Sequence, residues 1–372
     1  MTALKEIGFW DYTCPFNGSL ERYTTQDWDI LLDDMAAGGF NSLVLCVKWL
    51  TTGYRSRLPW LDQDPLCSAV ATDNAVIHHA LQGARARGIR TWLLVVASIF
   101  EAKTFNLPGG ADYWPTEYRA YDPDCPGLED RMHLLFAEVM DLFGHEVDGL
   151  VVELEFCDGE APHRIPIYNA WAQQNNRPDF ATIKAIHLEP RSFPFNHWRD
   201  FTTSRRIQVL QGIESLVRST GFTGPLSSII EIANEPMAVL GNVNLGMLQA
   251  ALPHWSVVTY DGIYDRRRNR LSTMDFCVHQ PQQAGLEVNY LTRGVMTFNI
   301  PPELGPTTLQ EQWRMELEDA RRHQPDRLWF MGADCCVDGL VCSPSQLPRW
   351  GFPDALTARR QLIADCKSLI AG

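Results

Sequence analysis

The sequence repeats one local pattern, in which an amphipathic segment ending near glycine is followed by a short apolar run. In the first copy, residues 24–39 place Trp28, Leu31 and Met35 at helical spacing behind a threonine cap, and residues 41–49 (NSLVLCVKW) follow as a buried strand. The pattern returns before IRTWLLVVAS, HEVDGLVVELEF, GPLSSIIEIAN and HWSVVTYDGIY. Apolar strands that alternate with amphipathic helices are typical of a parallel sheet covered by helices.

With EIGFWDYT, EVNYLTRGVMTFNI and RLWFMGAD, the chain has eight strand candidates. Eight such units predict an α/β protein with a single (β/α)8 TIM barrel, as one catalytic domain over residues 1–372. A barrel needs about 250 residues, so the rest is expected as loop insertions after the strands. These are predicted near 50–72, 99–127, 157–200, 265–285 and 335–352.

Two alternatives stay open at this level. A doubly wound open sheet would need a glycine-rich phosphate turn after its first strand, and FWDYTCPFNGSL is not one. The long aromatic-rich insertions predict a walled cleft, but they could instead cover the barrel mouth or form a contact within a homo-oligomer.

Charge and motif content narrow the function. The 45 acidic residues exceed the 32 basic ones, giving a net charge of −13, which disfavours nucleic-acid and anionic-membrane partners. No apolar run reaches the roughly 20 residues of a membrane span, and the ten scattered cysteines suit buried reduced thiols, so a cytoplasmic protein is expected. Phosphate-binding glycine loops, HExxH, CxxC and GxSxG are absent from the sequence. A carboxylate mechanism without cofactor or metal is therefore predicted.

The fourth strand carries two acids at its carboxyl end. Glu153 and Glu155 lie two residues apart, hence on one face, with Cα atoms about 7 Å apart. Two close carboxylates raise the pKa of one of them, which prepares a general acid beside a stabilising anion. The alternative is a structural pair neutralised by Arg or Lys from neighbouring strands.

The fifth strand repeats this feature in IIEIANEP. Glu231 and Glu235 share a face, and Asn234 offers a side-chain amide beside them. Because adjacent strands lie about 4.8 Å apart, Glu231 is expected to approach the acids of the fourth strand. Glu235 could instead cap the helix after Pro236.

Aromatic and polar residues recur at other strand ends and suit a sugar, whose ring stacks on aromatics while its hydroxyls take polar partners. The predicted substrate-binding residues, with Asn234 and Glu235, are Trp10, Asp11, Lys48, Trp49, Tyr260 and Asp261.

The segment DGLVVELE, residues 148–155, is similar in spacing to the DGxDxDxE fourth-strand signature of chitinase-type glycoside hydrolases, and Tyr260 with Asp261 resembles the end of their sixth strand. Val151 and Glu153 stand where that signature has aspartates, and the third strand, TWLLVVAS, lacks the SxGG of that family. The resemblance implies that Glu155 donates a proton, that Glu153 is its inner partner, and that Tyr260 and Asp261 assist a substrate amide acting as internal nucleophile.

The N-terminal quarter resembles the fucosidase-type and clan A-like glycosidase barrels in its first helix, its second strand and the loop Thr52-Gly53-Tyr54. The fucosidase type implies that the fourth-strand acid is the nucleophile. The clan A type implies an acid/base preceded by asparagine, as in Asn234-Glu235-Pro236. These resemblances reach the level of a glycosidase barrel without selecting one family.

The sequence thus predicts a glycoside hydrolase that acts on a carbohydrate, with Glu155 as principal catalytic residue and Glu231 or Glu153 as second carboxylate. One alternative is a metal-assisted lyase or isomerase acting on a sugar or sugar acid, with Glu155, Glu231 and Asp261 as oxygen ligands. A second alternative is a sugar-binding barrel without turnover.

Overall fold

The computed structural model describes residues 4–12, 24–49, 52–61, 74–112, 118–154, 161–185, 193–230, 243–260, 275–292, 308–331, 353 and 355–370. Its strands are β1 (Glu6–Tyr12), β2 (Ser42–Lys48), β3 (Arg90–Val96), β4 (Ile99–Glu101), β5 (Ala111–Asp112), β6 (Tyr118–Ala120), β7 (Gly149–Glu153), β8 (Leu226–Ile229), β9 (Ser256–Tyr260), β10 (Glu287–Thr292) and β11 (Arg327–Met331). Its α-helices are α1 (Thr25–Gly38), α2 (Ala75–Ala86), α3 (Ala102–Phe105), α4 (Leu128–Phe143), α5 (Arg164–Gln174), α6 (Phe180–Ala185), α7 (Phe193–Ser219), α8 (Leu245–Ala251), α9 (Gln280–Gln283), α10 (Thr308–His323) and α11 (Ala355–Ile370), and a π-helix spans Asp275–His279.

Eight of these strands form a closed parallel barrel. The order around it is β1, β2, β3, β7, β8, β9, β10 and β11, and β11 pairs with β1 to close the ring. Closure confirms the predicted (β/α)8 barrel and shows that the open-sheet alternative is wrong. The apolar runs that predicted the strands are buried because both faces of a barrel strand are covered.

The first helix follows from its sequence. The Thr24 side chain caps α1, and the Asp27 carboxylate accepts from the backbone N–H of Thr24 to complete a capping box. Gly39 ends the helix in the left-handed conformation, at φ 80°. The buried stripe is the predicted one, with Trp28, Leu31, Leu32 and Met35 facing the core.

Side chains from opposite sides of the ring identify the barrel interior. The ring of Trp329 contacts that of Trp10 at 5.9 Å between centroids and that of Trp92 at 5.4 Å. Asn289 on β10 donates to the hydroxyls of Ser227 and Ser256 at 2.9 Å each. The Trp329–Trp92 contact spans β1 and β2, and the Asn289–Ser227 contact spans β9, so these side chains point into the lumen. Trp10 and Ser256 meet them from the neighbouring strands on the same face.

A buried polar network fills the amino-terminal end of the lumen. The Glu6 carboxylate, 1% exposed, pairs with Arg327 at 3.1 Å and with Arg90 at 2.9 Å. It also accepts from the Ser42 hydroxyl and the Trp92 indole, each at 2.9 Å. Because this is the barrel end opposite the usual catalytic face, we assign the network to stability.

Two insertions follow the carboxyl ends of β3 and β7. The first holds a small antiparallel sheet of order β4, β6, β5, and the second contains α5 and α6 packed against the start of α7. Helix α7 starts at Phe193, and its first turns pack against the second insertion. That insertion has its own apolar cluster, formed by Tyr168, Ala172, Phe180, Ile183, Trp198 and Phe201. Much of the other predicted insertions lies outside the described residues, and one domain over residues 1–372 stays a prediction.

The four cysteines within the described residues, Cys46, Cys125, Cys277 and Cys366, are buried, as the sequence predicts. A search of the same residues finds no helix with the length and hydropathy needed to cross a membrane.

Candidate active site

Glu153 is an acid at the carboxyl end of barrel strand β7. Gly149 on the same strand pairs in register with Trp92, whose ring lies in the lumen. Because strand side chains alternate, Glu153 shares the lumen face with Gly149. The residue is half-buried and pairs in register with Val96 and Ile229. The structure therefore places one carboxylate at the mouth of the lumen.

Five predicted site residues lie outside the described residues: Glu155, Glu231, Asn234, Glu235 and Asp261. Tyr260 is described only as the last residue of β9, where its backbone pairs in register with Leu291. Its assignment to the site stays a prediction.

Trp10 and Asp11 lie on opposite faces of β1. Trp10 points into the lumen and is 1% exposed, and its indole N–H has no hydrogen-bond acceptor among the described residues. Asp11 shares the other face with Phe9, which packs on Phe40 at 5.0 Å between centroids. Asp11 is buried on the helix side of the strand, so the structure does not bring it into the lumen with Glu153.

Lys48 holds an insertion in place. Its ammonium donates to the backbone carbonyl of Trp49 at 2.6 Å and to that of Ile99, and it lies 4.1 Å from the centroid of the Phe100 ring. The residue is 1% exposed. The ammonium therefore joins the end of β2 to β4, a structural role that its position at a strand end did not reveal.

Trp49 is only partly buried and packs both on the main core and on the small cluster under β4 and β6. It retains exposed surface at the end of β2, which fits the predicted contact with a sugar ring.

Tyr54, from the loop that resembles fucosidase-type barrels, belongs to the core. Its hydroxyl donates to the Glu138 carboxylate on α4 at 2.9 Å, and burial followed by the charge of Glu138 raises the pKa of Tyr54 well above its usual value. This tyrosine fastens a loop to a helix and does not reach the lumen.

The two insertions are joined by a buried ion pair that sequence reasoning missed. Asp124 precedes α4, and Arg164 begins α5; their side chains are fully buried and pair at 3.0 Å. Arg205 on α7 adds a second contact to Asp124 at 2.6 Å. The two residues of this pair lie 40 positions apart, so no local sequence pattern links them. Within the described residues, the two acids Asp122 and Asp124, spaced two residues apart, are the sequence feature that could have indicated a buried ion pair here.

By sequence, no protein-family model and no curated protein matches the chain. By structure, the catalytic domain of β-amylase from Paenibacillus polymyxa matches with a TM-score of 0.60 at 10% identity, over 98% of this chain and 99% of that one. The β-galactosidase from Bacillus circulans sp. alkalophilus matches with a TM-score of 0.63 at 10% identity, over 99% of this chain and 56% of that one.

A third similar structure is α-L-fucosidase isoenzyme 2 from Paenibacillus thiaminolyticus, with a TM-score of 0.55 at 10% identity over 100% of this chain and 49% of that one. The chain thus spans about half the length of the β-galactosidase and the fucosidase. All three similar proteins are glycoside hydrolases with different substrates, and likeness at this identity shows the shared barrel fold.

Proposed function

We propose that this protein is a glycoside hydrolase acting on a carbohydrate. The observation that carries the proposal is Glu153, a carboxylate on the lumen face at the carboxyl end of β7. Active sites of such barrels lie at this end, and acids are the groups that glycoside hydrolysis requires there. The glycoside hydrolases among the similar structures support the same reaction class.

We assign the principal catalytic role to Glu155 and the second carboxylate to Glu231 or Glu153. Glu153 and Ile229 are register partners on adjacent strands. Glu155 and Glu231 each follow one of these partners by two residues in the sequence. Because neighbouring strands lie about 4.8 Å apart, we expect Glu231 to approach the acids of the fourth strand.

In the proposed reaction, one carboxylic acid protonates the glycosidic oxygen as the bond to the sugar breaks. The other carboxylate either attacks the anomeric carbon or activates a water molecule. A separation of about 5–5.5 Å between the carboxyl groups favours the first course with retention, and about 6.5–9.5 Å favours inversion. Both courses need only carboxylates and water, so the proposal includes no cofactor.

Substrate contacts are assigned to Trp49, Asn234, Glu235, Tyr260 and Asp261. The exposed part of Trp49 offers a ring face for stacking, and the other four supply hydroxyl partners. Trp10, Asp11 and Lys48 are buried, so they are not among the proposed substrate contacts.

A hydrolysis screen tests the reaction class. Purified protein is incubated with aryl α- and β-glycosides of the common hexoses, deoxyhexoses and N-acetylhexosamines, and with oligosaccharides, while released phenol or reducing sugar is measured. We expect turnover of at least one class, unchanged by a chelator. Activity that requires a divalent ion added back after chelation would favour the lyase or isomerase, and sugar binding without release of product would favour the non-catalytic barrel.

A further inference from the structure

We propose that Asp122, Cys125 and His163 form a binding site for a zinc-like divalent cation that ties the two insertions together. One carboxylate oxygen, the thiol sulfur and one imidazole nitrogen all lie within 4.8 Å of one another. His163 Nε2 is 2.9 Å from Asp122 Oδ2 and 3.8 Å from Cys125 Sγ. Ligand atoms around one tetrahedral zinc ion lie about 3.2–3.7 Å apart, so small adjustments would admit the ion.

The three residues come from different parts of the chain. Asp122 and Cys125 lie in the short turn before α4, at the end of the first insertion. His163 immediately precedes α5 in the second insertion. A shared ion would therefore cross-link two segments that follow different barrel strands.

The geometry favours a cation over a catalytic triad. In a Cys-His-Asp triad, the carboxylate holds one imidazole nitrogen while the other nitrogen faces the thiol. Here the same nitrogen of His163, Nε2, is the atom nearest to both Asp122 and Cys125. One ring nitrogen has a single proton or a single lone pair, so it cannot relay a proton between the two groups. A cation placed among the three atoms could be coordinated by all of them.

Burial gives the cluster a further reason to hold a cation. Asp122 and Cys125 are 2% and 3% exposed, whereas His163 retains some exposure. Arg164 comes only within 3.7 Å of Asp122, and its closer partner is Asp124. A divalent ion would neutralise the carboxylate and stabilise the thiolate, with release of the thiol proton.

The surroundings hold the three groups in position. The backbone N–H of Asp124 donates to Asp122 Oδ1 at 2.9 Å and fixes that carboxylate. Gly109 lies against the cluster at φ +92°, and a Cβ there would come within 3.1 Å of Cys125 Sγ and 3.2 Å of a His163 ring carbon. Such supporting contacts orient the ligands of a metal site.

The donor set selects the class of ion. Thiolate and imidazole suit zinc and similar transition metals, whereas calcium and magnesium prefer oxygen ligands. We therefore expect Zn²⁺ to bind, Co²⁺ to substitute for it with a thiolate charge-transfer band, and Mg²⁺ or Ca²⁺ not to compete.

The test uses the whole protein. It is stripped with a chelator, incubated with ZnCl₂, desalted and analysed for metal by mass spectrometry, beside Cys125→Ser and His163→Gln and the matched controls Cys366→Ser and His254→Gln. We expect about one tightly held zinc ion per chain in the wild type and in both controls, and at least tenfold weaker zinc binding in both site variants. Added zinc should raise the Tm by about 2–5 °C only in the proteins that bind it. Equal zinc retention in wild type and site variants would overturn the proposal.

A measurement on the wild type alone guards against misfolding of the variants. Co²⁺ is titrated into the stripped protein and its absorption spectrum is recorded. A saturable thiolate-to-cobalt band, displaced by one equivalent of Zn²⁺, supports the site. Absence of that band means that no cysteine binds the ion and overturns the proposal.

Discussion

Gly149 lies so close to Trp92 that a Cβ at position 149 would fall 2.3 Å from an indole carbon. The two residues are register partners on β7 and β3. Only glycine fits beside an indole that points into the lumen, and this contact fixes which face of β7 is interior. The orientation of Glu153, four residues further along, follows from it.

Gly149→Ala should lower the free energy of unfolding by about 1–3 kcal/mol, because the added methyl must displace Trp92 or the strand. Chemical denaturation measures the change. Gly246→Ala is the control, because a Cβ there would lie 3.5 Å from its nearest described atom. Gly246 lies in helix α8, where alanine is favoured over glycine, so the free energy of unfolding should be unchanged or higher. Equal effects at the two positions would contradict the packing argument.

Arg327→Met should destabilise the protein by about 3 kcal/mol, because it leaves the buried Glu6 carboxylate short of its partner inside the lumen. Adding Glu6→Gln should recover part of the loss. Arg322→Met, which removes an exposed guanidinium 3.7 Å from Asp319, should cost less than about 0.5 kcal/mol. A double variant as unstable as the sum of the two single ones would show that the pair is not coupled.

Lys48→Met should reduce stability by about 1–2 kcal/mol, since the buried carbonyl of Ile99 and the partly buried carbonyl of Trp49 lose a charged donor. Thermal unfolding and steady-state kinetics are measured together. Lys103→Met, at an exposed position of the insertion that contains Ile99, should change neither the thermal stability nor the kinetic constants. A large rise in KM with unchanged stability would instead make Lys48 a substrate ligand.

Glu146 should make the free energy of unfolding depend on pH. Burial acts to raise its pKa, but hydrogen bonds from Gln82 at 2.6 Å and His78 at 2.5 Å lower it below the usual 4.5. A carboxyl group whose pKa is lower in the folded than in the unfolded protein stabilises the fold at pH values above its unfolded-state pKa. This stabilisation is lost as the pH falls through the folded-state pKa. The free energy of unfolding of Glu146→Gln should therefore fall below that of the wild type by the largest amount above about pH 5, and the difference should shrink toward pH 3. Urea denaturation at each pH measures it. A deficit that grows as pH falls would contradict this sign.

Much of the fold could be predicted because its signals are local. The cap at Thr24, the apolar stripe of α1 and the stop at Gly39 all lie within one short segment, and the structure confirms them. The apolar run before Glu153 likewise predicted that this acid lies at the carboxyl end of its strand, and β7 ends at Glu153.

The site could be predicted only in part, because its remaining determinants depend on distant contacts. Lys48 was expected to bind substrate, yet its partner Ile99 lies 51 residues away in an insertion whose path no local pattern reveals. Asp11 was selected for its place at a strand end, although the alternation that turns Trp10 inward turns Asp11 outward. The neighbours Cys125 and His163 are 38 residues apart, without the close spacing that marks a metal motif.

The most direct test of the carboxylate mechanism compares kcat/KM of Glu155→Gln with that of the wild type on the best substrate from the hydrolysis screen. Glu318→Gln is the matched control, because this exposed glutamate on α10 lies 4.0 Å from Arg314 and away from the lumen strands. We expect Glu155→Gln to lose at least about a thousandfold in kcat/KM while keeping the Tm and the sugar affinity of the wild type, and the control to keep full activity. A Glu155→Gln enzyme within tenfold of the wild type would contradict the assignment of Glu155 as the principal catalytic residue.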